Sequence, residues 1–108
     1  MSLKEWIKES NNIVFFGGAG VSTESNIPDF RSDNGLYKKQ YPYPAEVMLS
    51  HSFYESNPKE FFEFYFNQMI YKDAKPNKAH LALAQLEKQG KLKAVITQNI
   101  DGLHQAAG

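Results

Sequence analysis

Two short apolar runs predict two buried β-strands, one near each end of the chain. The first is Ile13–Gly17, where an Ile-Val-Phe-Phe stretch stops at glycine, and the second is Leu92–Thr97. Apolar runs of this length, bounded by turn residues, are typical of strands buried on both faces of a parallel sheet. Since apolar residues in the segments around them recur with the spacing of helices, the pattern predicts an α/β fold.

Residues 2–10 and 75–89 have the spacing of amphipathic helices. Ser2 is a candidate cap of the first helix, and its apolar positions Leu3, Trp6 and Ile7 predict a helix that packs over the sheet edge. The second helix is expected to end at Gly90. Its His80 is expected to pack or cap locally, because no second ligand-type residue follows at metal spacing.

Residues 57–71 predict a third helix, which is rich in aromatic side chains. Asn57 is a candidate cap, Pro58 falls at the first helical position and Glu60 would close a capping box. The body carries aromatic residues on more than one face. We expect one face to enter the core and the remainder to line an apolar channel.

A glycine turn joins the first strand to the next segment. Gly18-Ala19-Gly20 follows the strand and precedes a Ser/Thr/Glu/Ser cluster that is suited to a helix start. Such a turn can hold an anionic group against free backbone N–H groups. Alone it is a weak signal, because any tight strand-to-helix turn has a similar composition and Thr23 occupies the place of the third glycine of the dinucleotide fingerprint.

The continuation of this turn strengthens the functional interpretation. Pro28-Asp29-Phe30-Arg31 sets a carboxylate, an aromatic face and a guanidinium side by side. The segment from Asn26 to Pro44 has neither helical nor alternating periodicity, and long loops in compact domains are usually functional or disordered. We interpret it as a lid over a bound cofactor.

The second strand is expected to deliver polar side chains to the same edge of the sheet. Gln98, Asn99 and Asp101 follow it directly, where open α/β sheets bind ligands. A dehydrogenase would instead offer an acidic residue at the end of a second strand that follows closely, and here the second strand comes after a helical insertion. Hydride transfer is therefore disfavoured.

Composition limits the partners, the cysteine chemistry and the compartment that we expect for the protein. The chain has 108 residues, 12 basic and 12 acidic side chains and no cysteine. Nucleic acid and anionic membrane are not indicated as partners, and neither a transmembrane stretch nor a leader is recognised. A disulfide and a thiolate zinc site within these residues are excluded. We expect a cytoplasmic protein.

Two long motifs resemble those of the sirtuins, the NAD-dependent protein deacylases. The first runs from Gly18-Ala19-Gly20-Val21-Ser22 through Asn26-Ile27-Pro28-Asp29-Phe30-Arg31-Ser32 to Gly35-Leu36-Tyr37, and the second is Thr97–Gly108. The resemblance implies a Rossmann-like parallel sheet at 1–25 and 76–108, a cofactor-binding loop at 26–45 and a small helical module at 46–75.

The resemblance implies roles for individual residues. Gly18, Ala19 and Gly20 would face the pyrophosphate of NAD, and Phe30 would cover the reacting ribose carbon, while Asp29 and Arg31 would order the loop and the cofactor. Gln98 and the catalytic Asn99 would contact the nicotinamide ribose and a nearby water, and Ile100 and Asp101 would hold the carboxamide. The substrate would be an acyl-lysine protein or peptide.

The chain also departs from the family pattern. Gly17 and Asn26 replace the usual threonine and glycine, although asparagine tolerates a left-handed backbone. The family's catalytic histidine and zinc cysteines would lie beyond Gly108, so His104 is expected to pack locally and this chain alone to be inactive. Sirtuins that prefer acidic acyl groups resemble one another in a Tyr-x-x-Arg pair. At the matching positions this chain has Tyr65 and Gln68, which predicts a preference for neutral acyl groups.

Two other interpretations stay open at this point. One is a non-catalytic module that binds NAD or ADP-ribose, and the other is a thiamine-type or other nucleotide fold that shares only the glycine turn. Finally, two strands alone leave unpaired sheet edges, so we expect this chain by itself to self-associate.

Overall fold

The computed structural model describes residues 2–32, 35–38 and 41–108. The elements in chain order are helix α1, strand β1, a 3-10 helix, a 3-10 turn, helices α2 to α5, strand β2 and helix α6. Their bounds are Leu3–Glu9, Ile13–Gly17, Ala19–Ser25, Leu36–Lys38, Ala45–Met48, His51–Ser56, Pro58–Phe64, Lys78–Lys88, Leu92–Thr97 and Leu103–Ala107. A π-helical turn, Tyr65–Met69, extends α4.

The two strands form a parallel two-stranded sheet, as the sequence predicts, and their bounds agree with the prediction. Val14 pairs with Ala94 and Phe16 with Ile96, so these side chains share one face. On the opposite face Phe15 and Val95 lie beside α5 and α6, where the rings of Phe15 and His104 are 5.9 Å apart.

The prediction that both faces of the strands are buried is wrong for this chain. Val14, Phe16 and Ile96 are 58%, 63% and 53% exposed. Helices cover one face of the sheet, and the apolar residues of the other face are in contact with solvent. The apolar run correctly indicated strands, but burial depends on what packs against them. Self-association of the chain stays a prediction.

Helix α1 forms where it was predicted, but its apolar face does not pack. Ser2 caps it by accepting a hydrogen bond from Glu5 N at 3.2 Å. Leu3 and Trp6 are exposed and the helix buries no residue, so the predicted packing over the sheet edge is wrong. The helix is attached through its C-terminal end, where Lys91 Nζ donates to the carbonyl oxygens of Ile7, Lys8 and Ser10.

The main hydrophobic core lies in the helical part and not under the sheet. Leu36, from the predicted cofactor loop, joins Ala45, Met48, Phe53 and Phe64 in this core. Within the range of the predicted helical module, α2 and α3 were not predicted as individual helices, because four- and six-residue helices show little periodicity. Each is stabilised mainly by the core side chains it contributes.

The predicted helix over 57–71 is divided into two parts. Pro58 occupies its first position as expected, but the Asn57 side chain makes no cap hydrogen bond, so the predicted capping box is wrong. At Tyr65 the helix widens into the π-helical turn, which ends at Met69. The wider turn changes which side chains share a face, a point that bears on the candidate site.

Helix α5 starts three residues later than predicted. Asn77 is its cap and makes a full capping box with His80, whose Nδ1 accepts from Asn77 N at 3.1 Å. The prediction that His80 caps locally is therefore confirmed. The helix ends as predicted, because Gly90 has a φ of 77° and accommodates the left-handed turn. No helix in the described ranges has the length and apolar character needed to cross a membrane.

Candidate functional site

The two strand ends meet at the edge of the sheet, as the sequence predicts. Gln98 N donates to Gly17 O at 3.1 Å, and Asn99 Nδ2 donates to Gly18 O at 2.9 Å. A Cβ atom on Gly18 would lie 3.0 Å from Gln98 Oε1. Glycine at this position therefore allows the turn and the amide side chains to lie against each other.

The segment after the turn is a seven-residue 3-10 helix, Ala19–Ser25, and not an α-helix. Because this helix is short and narrow, a macrodipole contributes less here than the sequence argument assumed. Gly20 is the informative residue of this helix. A Cβ atom added to it would have no neighbour within 4 Å. Neither a left-handed backbone nor packing within the chain requires glycine at this position, which leaves open space beside the backbone.

Asn26 ends the 3-10 helix with a φ of 65°. This is the left-handed conformation that asparagine tolerates, so its substitution for glycine preserves the turn, as expected. Immediately after this residue the chain enters the predicted cofactor loop. Positions 33–34 and 39–40 of that loop lie outside the described residues.

The described part of the loop is closed by its own hydrogen bonds. Leu36 N donates to Asp29 O and Tyr37 N donates to Phe30 O, at 2.6 and 2.7 Å. A Cβ atom on Gly35 would lie 2.7 Å from Asp29 Oδ1 and 2.8 Å from the Phe30 carbonyl carbon, so glycine is required there. The loop is anchored to the core by Leu36, which is buried.

Two predicted loop residues act within the loop itself. The Asp29 carboxylate accepts hydrogen bonds from the backbone N–H and the hydroxyl of Ser32. The Arg31 guanidinium carbon lies 5.4 Å from the centre of the Tyr37 ring, which is a cation–π distance. These contacts are those of residues that order the loop.

A cleft lies between the glycine turn, the loop, the π-helical turn and the end of β2. It encloses about 560 Å³, including space open to solvent. Its walls are largely apolar, with amide and carboxylate groups from one strand end. The lining residues are Ala19, Ser22, Ile27, Pro28, Phe30, Leu36, Gln68, Met69, Tyr71, Gln98, Asn99, Ile100 and Asp101.

The structure brings seven of the predicted site residues to this cleft. They are Ala19, Phe30, Gln68, Gln98, Asn99, Ile100 and Asp101. Gly18 lies directly behind Gln98, whereas Gly20, Asp29 and Arg31 do not line the cleft.

Tyr65 is also outside the cleft, although Gln68 lines it. In an α-helix, residues three apart are neighbours, but the π-helical turn rotates each residue through a smaller angle. The ring of Tyr65 stacks on Phe61 at 6.0 Å. The predicted pair is therefore not brought together at this cleft.

A polar network built around the buried Ser22 and His80 supports the site from behind. Its members are Ser22, Asn77, His80, Asn99 and Asp101. Ser22 Oγ donates to Asp101 Oδ2 at 2.6 Å and lies 3.5 Å from His80 Nε2. Because His80 Nδ1 accepts from Asn77 N, the proton of the neutral ring is on Nε2 and is directed at Ser22 Oγ. Asn99 Nδ2 also approaches Ser22 Oγ, at 3.4 Å.

The position of His80 keeps its imidazole neutral. Burial lowers the pKa of His80 below 6.5, and the neighbouring His104 ring, 4.8 Å away, lowers it further. The Asp101 carboxylate has an opposing, smaller effect on this pKa. Neutral His80 can donate from Nε2 while it accepts at Nδ1, which is the arrangement that the network requires.

Sequence analysis did not include Ser22, Asn77 or His80 among the site residues. Asn77 Nδ2 donates to Val21 O and Ser25 Oγ, so it connects α5 to the 3-10 helix. The available signal was an Asn-x-x-His sequence at a helix start, which the structure uses as a cap. No feature of the neighbouring sequence indicates that His80 in this cap faces Ser22, which lies 58 positions earlier in the chain.

Comparison with known proteins identifies the family of the chain. The model of the Sir2 family matches residues 18–108. The chain belongs to the Sir2 family. It is 68% identical over 108 residues to an NAD-dependent protein deacetylase of Clostridium acetobutylicum and 71% identical over 109 residues to one of Clostridium tetani. These matches cover 98% and 99% of the chain but only 44% of each relative, so the chain spans less than half the length of these relatives.

Solved structures give the same fold. A structure described as the basis for the mechanism and regulation of Sir2 enzymes superposes with a TM-score of 0.82 at 50% identity, covering 96% of this chain and 40% of that one. A Sir2 homologue bound to ADP-ribose superposes with a TM-score of 0.86 at 40% identity, covering all of this chain and 43% of that one. The predicted α/β, Rossmann-like fold class is confirmed.

Proposed function

We propose that the complete protein, meaning this chain joined to the rest of its family domain, is an NAD-dependent protein-lysine deacetylase that prefers neutral acyl groups. It would consume NAD and release nicotinamide and O-acyl-ADP-ribose. The observation that carries this proposal is the convergence of Ala19 from the glycine turn, Phe30 and the amide tip Gln98-Asn99 on one cleft. Both curated relatives named above are NAD-dependent protein deacetylases.

The described residues fit NAD. Gly20 follows Ala19, which lines the cleft, and the open space beside Gly20 would accept the pyrophosphate against the backbone, where a larger side chain would compete for the same space. The cleft has the mixture of apolar wall and few polar groups that small-molecule sites favour. NAD, when bound, would supply a nicotinamide–ribose bond whose cleavage lets ribose accept the acyl oxygen of the modified lysine. The related Sir2 homologue bound to ADP-ribose supports this assignment.

The chain's own residues would act by positioning and by excluding water. Phe30 lines the cleft and, as part of the closed loop, would cover the reacting ribose carbon. Asn99, fixed by its hydrogen bond to Gly18 O, would orient the nicotinamide ribose and a nearby water, and Gln98 would share that contact. Ile100 and Asp101 would hold the carboxamide. Asp29 and Arg31 would act through the loop.

The substrate would be an acyl-lysine protein or peptide, with no nucleic acid or membrane involved. Related Sir2 structures contain a deacetylated p53 peptide together with O-acetyl-ADP-ribose, or a propionylated peptide, and acetyl and propionyl groups are both neutral. Gln68 lines the cleft without a positive charge. A carboxylate-tipped acyl group would therefore lose its water without gaining a charged partner.

We assign the parts of the chain accordingly: Rossmann-like at 1–25 and 76–108, cofactor loop at 26–45 and helical module at 46–75. Zinc, when present in the complete protein, would be held outside this chain, and we place the protein in the cytoplasm. The catalytic histidine would also come from the rest of the domain, so this chain alone would be inactive.

One observation favours a second function for the isolated chain, that of a non-catalytic NAD- or ADP-ribose-binding module. Among the described residues, none that lines the cleft is a histidine; His80 reaches it only through Ser22. Binding without turnover would then be the property of residues 1–108.

The test combines calorimetry with turnover of an acetyl-lysine peptide. We expect the complete protein to bind NAD and to release nicotinamide only when peptide is present. Gly20→Ala should weaken NAD binding by about tenfold or more, because its methyl group would occupy the space of the pyrophosphate. Its melting temperature without NAD serves as the internal control and should not fall. A complete protein that gives no binding heat with NAD would refute the proposal.

A second experiment addresses acyl preference. Gln68→Arg should raise the rate with succinyl-lysine relative to acetyl-lysine, since the guanidinium would pair with the carboxylate. Gln85→Arg, on an exposed position of α5, is the matched control. Faster removal of succinyl than acetyl by the unaltered protein would contradict the assigned preference.

A further inference from the structure

A second groove lies on the helical module, between α2, α4 and the end of the cofactor loop. It encloses about 540 Å³, including space open to solvent. Its walls combine aromatic rings, one methionine and two carboxylates. The lining residues are Tyr41, Pro42, Tyr43, Met48, Glu60, Glu63, Phe64, Asn67 and Gln68. We refer to it below as the acidic groove.

Aromatic contacts hold the walls of the acidic groove in place. The Tyr41 ring meets Phe64 edge to face at 4.9 Å, and Tyr43 meets Phe53 in the same way at 5.3 Å. Phe53 and Phe64 belong to the buried core. Tyr43 is nonetheless 47% exposed, so an aromatic surface faces the groove from a rigid base. Such a surface suits a cation or an aliphatic chain.

The charge of this groove has one sign. Glu60 and Glu63 lie one turn apart on α4, so both carboxylates are on the same side of the helix. Both are exposed, and the only described ion pair of the helical module joins His51 to Glu55 on α3. Among the described lining residues there is no lysine, arginine or histidine. A positively charged guest would therefore find complementary charge here.

The acidic groove adjoins the candidate site at one side chain. Gln68 lines both the groove and the cleft that contains Phe30 and Asn99. A polypeptide that inserts an acyl-lysine beside Gln68 in the cleft therefore has the groove on the other side of that residue, within reach of a neighbouring side chain. The two spaces can thus be filled by a single peptide.

We propose that the acidic groove binds a lysine or arginine side chain of the same peptide that presents the acyl-lysine. This inference rests on the proposed function and deepens it by defining the substrate class as acyl-lysine flanked by a basic residue. The aliphatic stem of the basic side chain lies along Tyr41 and Met48, and its charged head reaches Glu60 and Glu63.

The experiment uses the complete protein and acetyl-lysine peptides in which one arginine is moved along either side of the acetyl-lysine. Each arginine peptide is matched by one with citrulline, which has the same shape without the charge. At the position that reaches the groove, arginine should lower KM about fivefold with unchanged kcat, the effect of one partly exposed charge-assisted contact. Higher salt should reduce this preference.

Variants connect the preference to the groove. Glu60→Gln/Glu63→Gln should remove the preference for arginine over citrulline while KM for NAD stays the same. Glu60→Lys/Glu63→Lys should instead favour a peptide with glutamate at that position. Glu55→Gln, on the neighbouring helix α3, is the matched control and should retain the original preference. Peptide binding followed by fluorescence anisotropy gives the same comparison without turnover.

The outcomes separate this inference from the proposed function. If neither peptide is deacetylated, the proposed function itself fails. If both are deacetylated with equal KM at every arginine position, the function stands and the inference is overturned. If arginine is preferred but the glutamine variants keep the preference, the cation binds elsewhere and the inference is likewise overturned.

Discussion

The sheet half of the molecule and its helical module are held together in different ways. In the sheet half, around β1, the 3-10 helix and α5, buried Leu92 and Leu103 are accompanied by polar contacts between residues far apart in the chain, such as Ser22 with Asp101. In the helical module the buried contacts are apolar and local, among α2, α3 and α4. The module is a packed scaffold, whereas the sheet half places hydrogen-bonding groups around a cleft.

This difference also explains where apolar surface is exposed. The module buries Phe53 and Phe64 within this chain, whereas the sheet leaves Val14, Phe16 and Ile96 in contact with solvent. A two-stranded sheet covered on one face cannot bury its other face by itself. Substitutions in the two halves should therefore have different consequences. We expect the following effects on stability, in order from the largest to the smallest.

Phe64→Ala should have the largest effect on stability. Phe64 is 5% exposed in the core of the module, so its removal leaves a cavity and should lower the free energy of unfolding by about 3–5 kcal/mol. Urea denaturation of the complete protein provides the measurement. Phe66→Ala is the matched control, because Phe66 is 62% exposed on the same helical segment and should cost less than about 1 kcal/mol. Equal losses for the two variants would contradict the assigned core.

Gly35→Ala should have the next largest effect. It should lower the free energy of unfolding by about 3 kcal/mol, because its methyl group would meet the Phe30 backbone and the Asp29 carboxylate. NAD affinity should also fall, since the loop that carries Phe30 must open to relieve the clash. Thermal unfolding and calorimetry report the two effects separately. Gly20→Ala should give the opposite pattern, because it should weaken NAD binding without lowering the stability of the fold. A Gly35→Ala variant that retains both properties would argue against the closed loop.

Ser22→Ala should lower the free energy of unfolding by about 2 kcal/mol, although the change removes only one oxygen atom. It leaves Asp101 Oδ2 and His80 Nε2 without the hydroxyl that both contact in the buried network. Ser52→Ala, at an exposed position of α3, is the control and should change stability by less than about 0.5 kcal/mol. Urea unfolding distinguishes the two, and similar values for both would mean that the network contributes little.

His80 should make stability depend on acidity, with the smallest effect of the four. Its folded-state pKa lies below 6.5, mainly through burial, so the unfolded chain takes up a proton at a higher pH than the folded chain does. Stability is therefore full above about pH 6.5 and is lost as the pH falls towards the folded-state pKa, by at most about 1.4 kcal/mol per pH unit.

Urea midpoints measured between about pH 5 and about pH 7.5 test this prediction. His80→Gln should flatten the profile in that window. His51→Gln is the control, because His51 is exposed on α3 and pairs with Glu55 at 2.7 Å. A profile that His80→Gln leaves unchanged would assign the acid sensitivity to other groups.

Local features of the sequence determined much of the framework. The strand bounds, Pro58 at a helix start, Asn26 in a left-handed turn and the stop at Gly90 depend on backbone preferences that act over a few residues. The two sirtuin-like motifs likewise indicated that the glycine turn and Gln98-Asn99 converge. That convergence follows because parallel strands end at the same edge of a sheet.

The tertiary structure decided everything that depends on contacts between distant segments. It joined Ser22 to His80 and Asp101, brought Leu36 from a loop into the core and left one face of the sheet exposed. It also introduced the π-helical turn that separates Tyr65 from the cleft lined by Gln68. Spacing along the chain cannot encode these features, because burial and hydrogen-bond partners depend on which surfaces meet after folding.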